Sequence, residues 1–263
     1  MKAKALILTG FGINCDVETE HIFQVAGADA KRVHLNDIVA DPALLDDYHI
    51  LAVPGGFSFG DDIASGKILA NRLRHTLGAP LKEFVGAGKL AIGICNGFQV
   101  MVKMGILPMF DGDFVQEVTL THNNSSRFED RWVNLAVASD TACIWTKDVE
   151  AIELPIRHGE GKFIARDDAT LARLKENGQV VMRYVRRDRS AARGEYPANP
   201  NGSQDDIAGI CDPTGRVFGL MPHPEAFLHR TNHPRWTREV LPEEGAGVRL
   251  FRNAVRFAER NLV

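Results

Sequence analysis

A single cysteine stands between two glycines in the stretch Gly93-Ile94-Cys95-Asn96-Gly97, after an apolar run and before a helical pattern. A strand that turns this sharply into a helix holds the intervening side chain away from the backbone in a strained conformation, and its neighbours two residues away must lack a Cβ for the turn to close. The helix that begins at Asn96 points its positive end at Cys95 and favours the thiolate. The pattern predicts a nucleophile elbow with sulfur as the reactive atom; a buried core cysteine is the simpler alternative.

A base for this nucleophile is predicted near the other end of the chain, in Met221-Pro222-His223-Pro224-Glu225. Each proline favours an extended conformation at the residue before it, and positions two apart in an extended segment face the same way. We therefore expect Glu225 to bond one imidazole nitrogen of His223 and to leave the other facing a thiol. A proline-rich turn with a solvated His and Glu is the alternative.

Paired glycines follow another apolar run, in the segment Gly55-Gly56-Phe57-Ser58. Such glycines let backbone amides approach a ligand, as an oxyanion hole for acyl transfer requires. We expect the amide of Gly56 or Phe57, together with the amide of Asn96, to be the donors.

Strands alternate with helices over the first hundred residues, which predicts a mostly parallel central sheet with helices on both faces, an α/β fold. Ligands of such sheets bind at the carboxyl ends of the strands, where Gly55 and Cys95 both lie. The predicted strands are 5–9, 30–35, 50–53, 90–94, 114–120, 132–138, 180–185, 207–211 and 217–221. The predicted helices are 16–26, 67–75, 81–85 and 248–260.

Composition excludes several classes of function. The net charge of −3 is too small to argue for nucleic acid, no apolar run approaches a membrane span, and the N-terminus lacks the pattern of a secretion signal, so a cytoplasmic location is expected. The cysteines at 15, 95, 143 and 211 have no paired metal spacing, so we expect free thiols and no metal site. The glycine-lysine segments at 86–89 and 159–162 lack the full phosphate-loop spacing, so no ATP site and no cofactor are expected in this chain.

Six segments carry a further pattern: GGFSFGD at 55–61, GICNGFQ at 93–99, NSSRFE at 124–129, HGEG at 158–161, NPNGS at 199–203 and MPHPE at 221–225. In this order they resemble the class I, or triad, glutamine amidotransferases, and within that class the glutaminase subunits of phosphoribosylformylglycinamidine synthase. The resemblance covers nearly the whole chain. It implies the flavodoxin-like fold of that class, as one domain over 1–263 with loop insertions around 122–131, 186–206 and 229–247.

The resemblance also implies an activity. Glutamine would be hydrolysed to glutamate and ammonia through a thioester on Cys95, with Gln99, Gly55 and Ser58 helping to hold the substrate. The implied partner is the larger synthetase subunit, which would use ATP and magnesium to convert formylglycinamide ribonucleotide to formylglycinamidine ribonucleotide in de novo purine synthesis. A small third subunit bridges the two in many such systems.

Other readings stay open from the sequence. A glutaminase subunit of another synthase would keep the cysteine, histidine and glutamate but would not be expected to carry the segments at 124–129 and 199–203. A standalone cysteine hydrolase on a similar sheet would be active without a partner. A binding module that had lost catalysis would not need all three polar groups together.

Overall fold

The computed structural model describes residues 1–263, and its core is a nine-stranded sheet. In chain order the strands are β1 Lys4–Thr9, β2 Asp29–His34, β3 Ile50–Val53, β4 Leu90–Ile94, β5 Val118–Thr121, β6 Glu129–Val137, β7 Ala151–His158, β8 Lys162–Ala165, β9 Val180–Val185, β10 Ile207–Cys211 and β11 Val217–Leu220. The sheet has the order β2-β1-β3-β4-β11-β10-β9-β6-β7, and β5 pairs with β8 separately.

Two layers of helices cover the sheet. The helices are α1 Asp16–Val25, α2 Leu35–Ala40, α3 Lys67–Gly86, α4 Asn96–Met104, α5 Asp168–Glu176 and α6 Val248–Asn261. The first layer pairs α1 with α6, where the rings of Phe23 and Phe251 meet edge to face at 4.8 Å. The second pairs α3 with α4, whose Leu73 and Met101 line an apolar layer with Leu51 of β3.

The parallel part of the sheet brings three strand ends together. β2, β1, β3, β4 and β11 run parallel, and Val53 pairs with Gly93 while Ile94 pairs with Leu220. The carboxyl ends of β3, β4 and β11 therefore lie side by side, which confirms the predicted α/β fold. Gly55 and Cys95 both follow strands that end at this edge, where ligands of such sheets bind. From β11 to β7 the remaining neighbours are antiparallel, an extension that the sequence pattern does not show.

Several predicted elements differ in their bounds. The two helices predicted at 67–75 and 81–85 are one helix, α3, with Pro80 inside it. Leucines at 69, 73, 77 and 81 are buried along one face and stabilise the helix across the proline. The strand predicted from 114 begins only at Val118, and β7, β8, α2 and α5 are absent from the prediction.

The apolar core is one contiguous cluster that runs from Ala3 to Ala258, and we propose on this basis that the chain is a single domain. None of its helices combines the length and apolarity that a membrane crossing needs. Of the predicted insertions, 122–131 forms a turn that leads into the first residues of β6, and 186–206 is largely irregular.

The segment 229–247 is fixed to the sheet by a buried histidine. The ring of His233 lies 4.7 Å from that of Trp132, and its Nε2 is 3.2 Å from a carboxylate oxygen of Glu153. The guanidinium of Arg235 donates to both oxygens of the same carboxylate at 3.0 and 2.9 Å. This insertion is therefore an ordered, packed part of the fold.

Candidate active site

The predicted elbow is present where β4 ends and α4 begins. Cys95 has φ 51° and ψ −105°, a backbone conformation that residues other than glycine rarely adopt. A Cβ added at Gly93 would lie 2.7 Å from the carbonyl oxygen of Gly97, and one added at Gly97 would lie 1.8 Å from that of Val53. Both positions therefore require glycine, because a Cβ would collide with the backbone and keep the turn from closing, as the sequence pattern predicts.

Two backbone amides beside the elbow have no acceptor within the fold. Asn96 is the first residue of α4, so its amide has no partner inside the helix. The amide of Gly56 has no hydrogen-bond partner, and its φ of 150° places a hypothetical Cβ 2.6 Å from the carbonyl oxygen of Gly12. The amide of Phe57, the other predicted donor, already donates to that same oxygen at 2.8 Å. The geometry favours Gly56 over Phe57.

The predicted histidine and glutamate meet directly after β11. The Nδ1 of His223 lies 2.5 Å from a carboxylate oxygen of Glu225, and both side chains are buried. The amide of His223 donates to the carbonyl oxygen of Pro155 at 2.8 Å, which fixes the backbone. The predicted extended alternation of His223 and Glu225 is wrong, because Pro224–Ala226 is a 3₁₀ turn that returns Glu225 to the ring.

Cys95 and His223 are neighbours although they lie far apart in the chain. Because β4 and β11 are adjacent, the amide of Cys95 donates to the carbonyl oxygen of Leu220 at 2.8 Å. Burial alone would lower the pKa of His223, but the charges of Glu225 and Cys95 raise it well above its usual value. The imidazole is thus stabilised in its charged form beside the sulfur, an arrangement that activates a thiol.

Gln99, Ser58 and Gly55, which are expected to hold the substrate, lie near the elbow. Some of their polar groups already form hydrogen bonds within the fold. The side chain of Gln99 donates to the carbonyl oxygen of Glu160 at 2.6 Å and accepts from Asn96 at 3.0 Å. The amide of Ser58 donates to the side-chain oxygen of Asn96 at 3.2 Å. The carbonyl oxygen of Gly55 accepts the backbone amides of residues 14 and 15. These contacts favour support of the elbow over direct binding by Gln99.

Other polar residues lie at the site, but the sequence alone does not assign them a place there. Asp61 accepts from the side chain of Asn96 at 3.1 Å, and Glu160 accepts the amide of Ser65. His158 is buried near His223. Their positions depend on contacts across several strands, and the only sequence signal is their occurrence within the segments 55–61 and 158–161.

A cysteine at a strand–helix elbow, a buried His–Glu pair and open amides on an α/β sheet are the arrangement expected of the class I glutamine amidotransferases. A family model of the CobB/CobQ-like glutamine amidotransferase domain matches residues 2–258, and the chain belongs to this family.

Its relatives include phosphoribosylformylglycinamidine synthase subunit PurQ of Dehalococcoides mccartyi, 46% identical over 261 residues, which are 98% of this chain and 99% of the relative. The subunit PurQ of Methanococcus maripaludis is 44% identical over 268 residues, with 98% and 99% of the two chains covered. A chain in the structure of PurLQS from Thermotoga maritima matches with a TM-score of 0.72 and 31% identity, over 98% of this chain and 99% of that one.

Proposed function

We propose that this chain is the glutaminase subunit of phosphoribosylformylglycinamidine synthase and that Cys95, His223 and Glu225 carry its chemistry. The observation that supports the triad most directly is the hydrogen-bonded His223–Glu225 pair beside the sulfur of the elbow. The full-length similarity to PurQ subunits supports the choice of synthase over other amidotransferases.

In this mechanism the thiolate of Cys95 attacks the side-chain amide carbon of glutamine. His223 gives a proton to the leaving nitrogen, ammonia departs, and a γ-glutamyl thioester remains on the sulfur. A water molecule that loses a proton to His223 then attacks the thioester and releases glutamate. Glu225 keeps Nδ1 of the imidazole occupied, so that Nε2, which is buried and has no other hydrogen-bond partner, serves the reaction.

The oxyanion of each tetrahedral intermediate would be held by the amides of Gly56 and Asn96. Neither amide has to break a bond within the fold before it donates, so both are preorganised for the developing charge. The loss of one such donor typically lowers kcat by about 10²- to 10³-fold. The amide of Phe57 could join them only if its bond to the carbonyl of Gly12 opened.

The ammonia must reach a second active site, because ammonia released to neutral water is mostly protonated and no longer nucleophilic. In our proposal the receiver is the larger synthetase subunit, which binds ATP and magnesium and converts formylglycinamide ribonucleotide to formylglycinamidine ribonucleotide. A small third subunit that bridges the two is part of the proposal, by analogy with the PurLQS assembly. The complex would operate in the cytoplasm.

The experiment that tests this proposal compares glutamine with ammonia as the nitrogen donor in the assembled complex. Cys95→Ala should abolish glutamine-dependent synthesis and keep ammonia-dependent synthesis, because only the donor step is removed. Cys143→Ala, at a buried cysteine outside the site, is the matched control and should keep both. If Cys95→Ala also removed ammonia-dependent synthesis from an intact complex, the assignment would be wrong. Equal glutamate release with and without the synthetase would indicate a standalone hydrolase.

A further inference from the structure

A second cysteine, Cys15, lies close to the His223–Glu225 pair. The amide of Cys15 donates to the carbonyl oxygen of Gly55 at 3.2 Å, which fixes its position at the start of α1. A Cβ added at Gly55 would lie 3.3 Å from the sulfur of Cys15 and 2.8 Å from Cε1 of His223. The absence of a side chain at Gly55 thus lets the sulfur and the imidazole approach one another.

These groups lie close enough together to hold a metal ion. One ligand atom from each of Cys15, His223 and Glu225 lies within 4.8 Å of the other two. The ligand atoms of a tetrahedral zinc are about 3.4–3.8 Å apart, given bond lengths of roughly 2.0–2.3 Å. Side-chain movements that shorten these separations by at most about 1.4 Å would therefore close the set around an ion. The 2.5 Å hydrogen bond between Nδ1 of His223 and Glu225 would open if both of these atoms bound the ion.

Two buried atoms of the cluster have unused ligand capacity. Nε2 of His223 and the second carboxylate oxygen of Glu225 have no hydrogen-bond partner, although both side chains are almost fully buried. Unpaired polar atoms at such depth are uncommon, because burial without a partner is unfavourable. Cys15 is partly exposed, so an ion could enter from its side.

We propose that Cys15, His223 and Glu225 form a binding site for a thiophilic divalent cation such as Zn²⁺. Binding releases two protons to solvent, one from the thiol of Cys15 and one from the imidazolium of His223. The thiolate and carboxylate then balance the two positive charges while the neutral imidazole supplies a nitrogen. A thiolate–imidazole–carboxylate set selects Zn²⁺ over Mg²⁺, which prefers oxygen ligands in octahedral geometry. The spacing of the four cysteines in the sequence predicts no metal site, because two of the three ligands here are not cysteines.

A cation in this site would switch the glutaminase off reversibly. It would occupy a ring nitrogen of His223 and an oxygen of Glu225, so the imidazole could no longer exchange protons with Cys95 and the substrate. Chelation would restore activity because no covalent bond to carbon is made. This inhibition depends on the proposed function, whereas metal binding itself does not.

Cobalt titration of the full chain tests the binding without any assay of activity. Co²⁺ substituted for Zn²⁺ should produce a thiolate-to-cobalt absorption band in the original chain and in Cys95→Ala, but not in Cys15→Ala or Cys15→Ser. Cys143→Ala, remote from the site, should keep the band. Loss of the band in Cys95→Ala with retention in Cys15→Ala would overturn the proposal, since the ion would then sit on the other thiol. So would the absence of a band in every chain.

The inhibition is tested with Zn²⁺ and glutamine, each chain being compared with its own rate in a chelator. The Zn²⁺ concentration for half-inhibition should rise at least about tenfold in Cys15→Ser, since even the loss of an outer-shell partner weakens metal sites by 10- to 100-fold. An unchanged concentration would contradict the proposed ligand set.

Discussion

Burial of a neutral histidine beside the active site should make the fold less stable in mild acid. His158 is 3% exposed, and its Nδ1 lies 3.2 Å from the side-chain oxygen of Asn123. The side-chain nitrogen of Asn123 donates to the backbone carbonyls of residues 127 and 158, so its oxygen is the acceptor and Nδ1 of His158 carries the hydrogen. Burial, with a smaller contribution from the positive charge of His223, lowers the pKa of His158 to about 3.

The magnitude follows from proton linkage. In the unfolded chain this histidine has its ordinary pKa of about 6.5, so between pH 6.5 and 3 the unfolded state binds one more proton than the folded state. The contribution of neutral His158 to the free energy of unfolding is therefore fully present above pH 6.5. It falls by about 1.4 kcal/mol per pH unit as the pH drops below that value. From pH 7.5 to pH 5.0 the loss due to His158 is about 2 kcal/mol.

Urea unfolding of the original chain and of His158→Gln at the two pH values measures this contribution. The substitution removes the titrating group, so the free energy of unfolding should fall by about 2 kcal/mol less between pH 7.5 and 5.0 in the variant. His75→Gln, at an exposed position of α3, is the control and should follow the original chain. An equal pH dependence in the original chain and His158→Gln would refute the reasoning.

Two further predictions concern the elbow and the base. Gly97→Ala should lower the free energy of unfolding by about 3 kcal/mol or more, because its Cβ would lie 1.8 Å from the carbonyl oxygen of Val53. Gly78→Ala is the control, because the space around Gly78 in α3 is open. In the same thermal or urea unfolding experiment it should stabilise the fold by about 0.5–1 kcal/mol. Glu225→Gln should lower kcat for glutamine by on the order of 10²-fold or more with little change in KM, since His223 loses the carboxylate that orients it; an unchanged kcat would show that Glu225 has no part in the reaction.

The elements of the site that the sequence predicts are those set by short-range geometry. The glycines at 93 and 97 are required by a turn of five residues, so their spacing alone predicts the elbow at Cys95. The prolines around His223 likewise mark a local constraint, although the turn at Glu225 is 3₁₀ instead of extended. Such features can be read from neighbouring residues because the atoms that enforce them are close in the chain.

The features that the sequence could not predict depend on distant partners. The amide of Phe57 is occupied by a carbonyl some 45 residues earlier, and the side chain of Gln99 bonds a carbonyl 61 residues later. Neither bond leaves a trace in local composition. The strand β7 escaped prediction because Pro155 interrupts its pattern, and a proline is tolerated there because β7 is the edge strand of the sheet.

That edge strand completes the active site from the antiparallel half of the molecule. The carbonyl oxygen of Pro155 accepts the amide of His223 at 2.8 Å, and the carbonyl oxygen of Arg157 lies 3.5 Å from the sulfur of Cys95. Because these two carbonyls are two residues apart on one strand, they point to the same side and contact the proposed base and the proposed nucleophile from one strand. The parallel strands place the two side chains at one edge of the sheet, and β7 sets their distance. The antiparallel extension is therefore part of the geometry of the proposed active site.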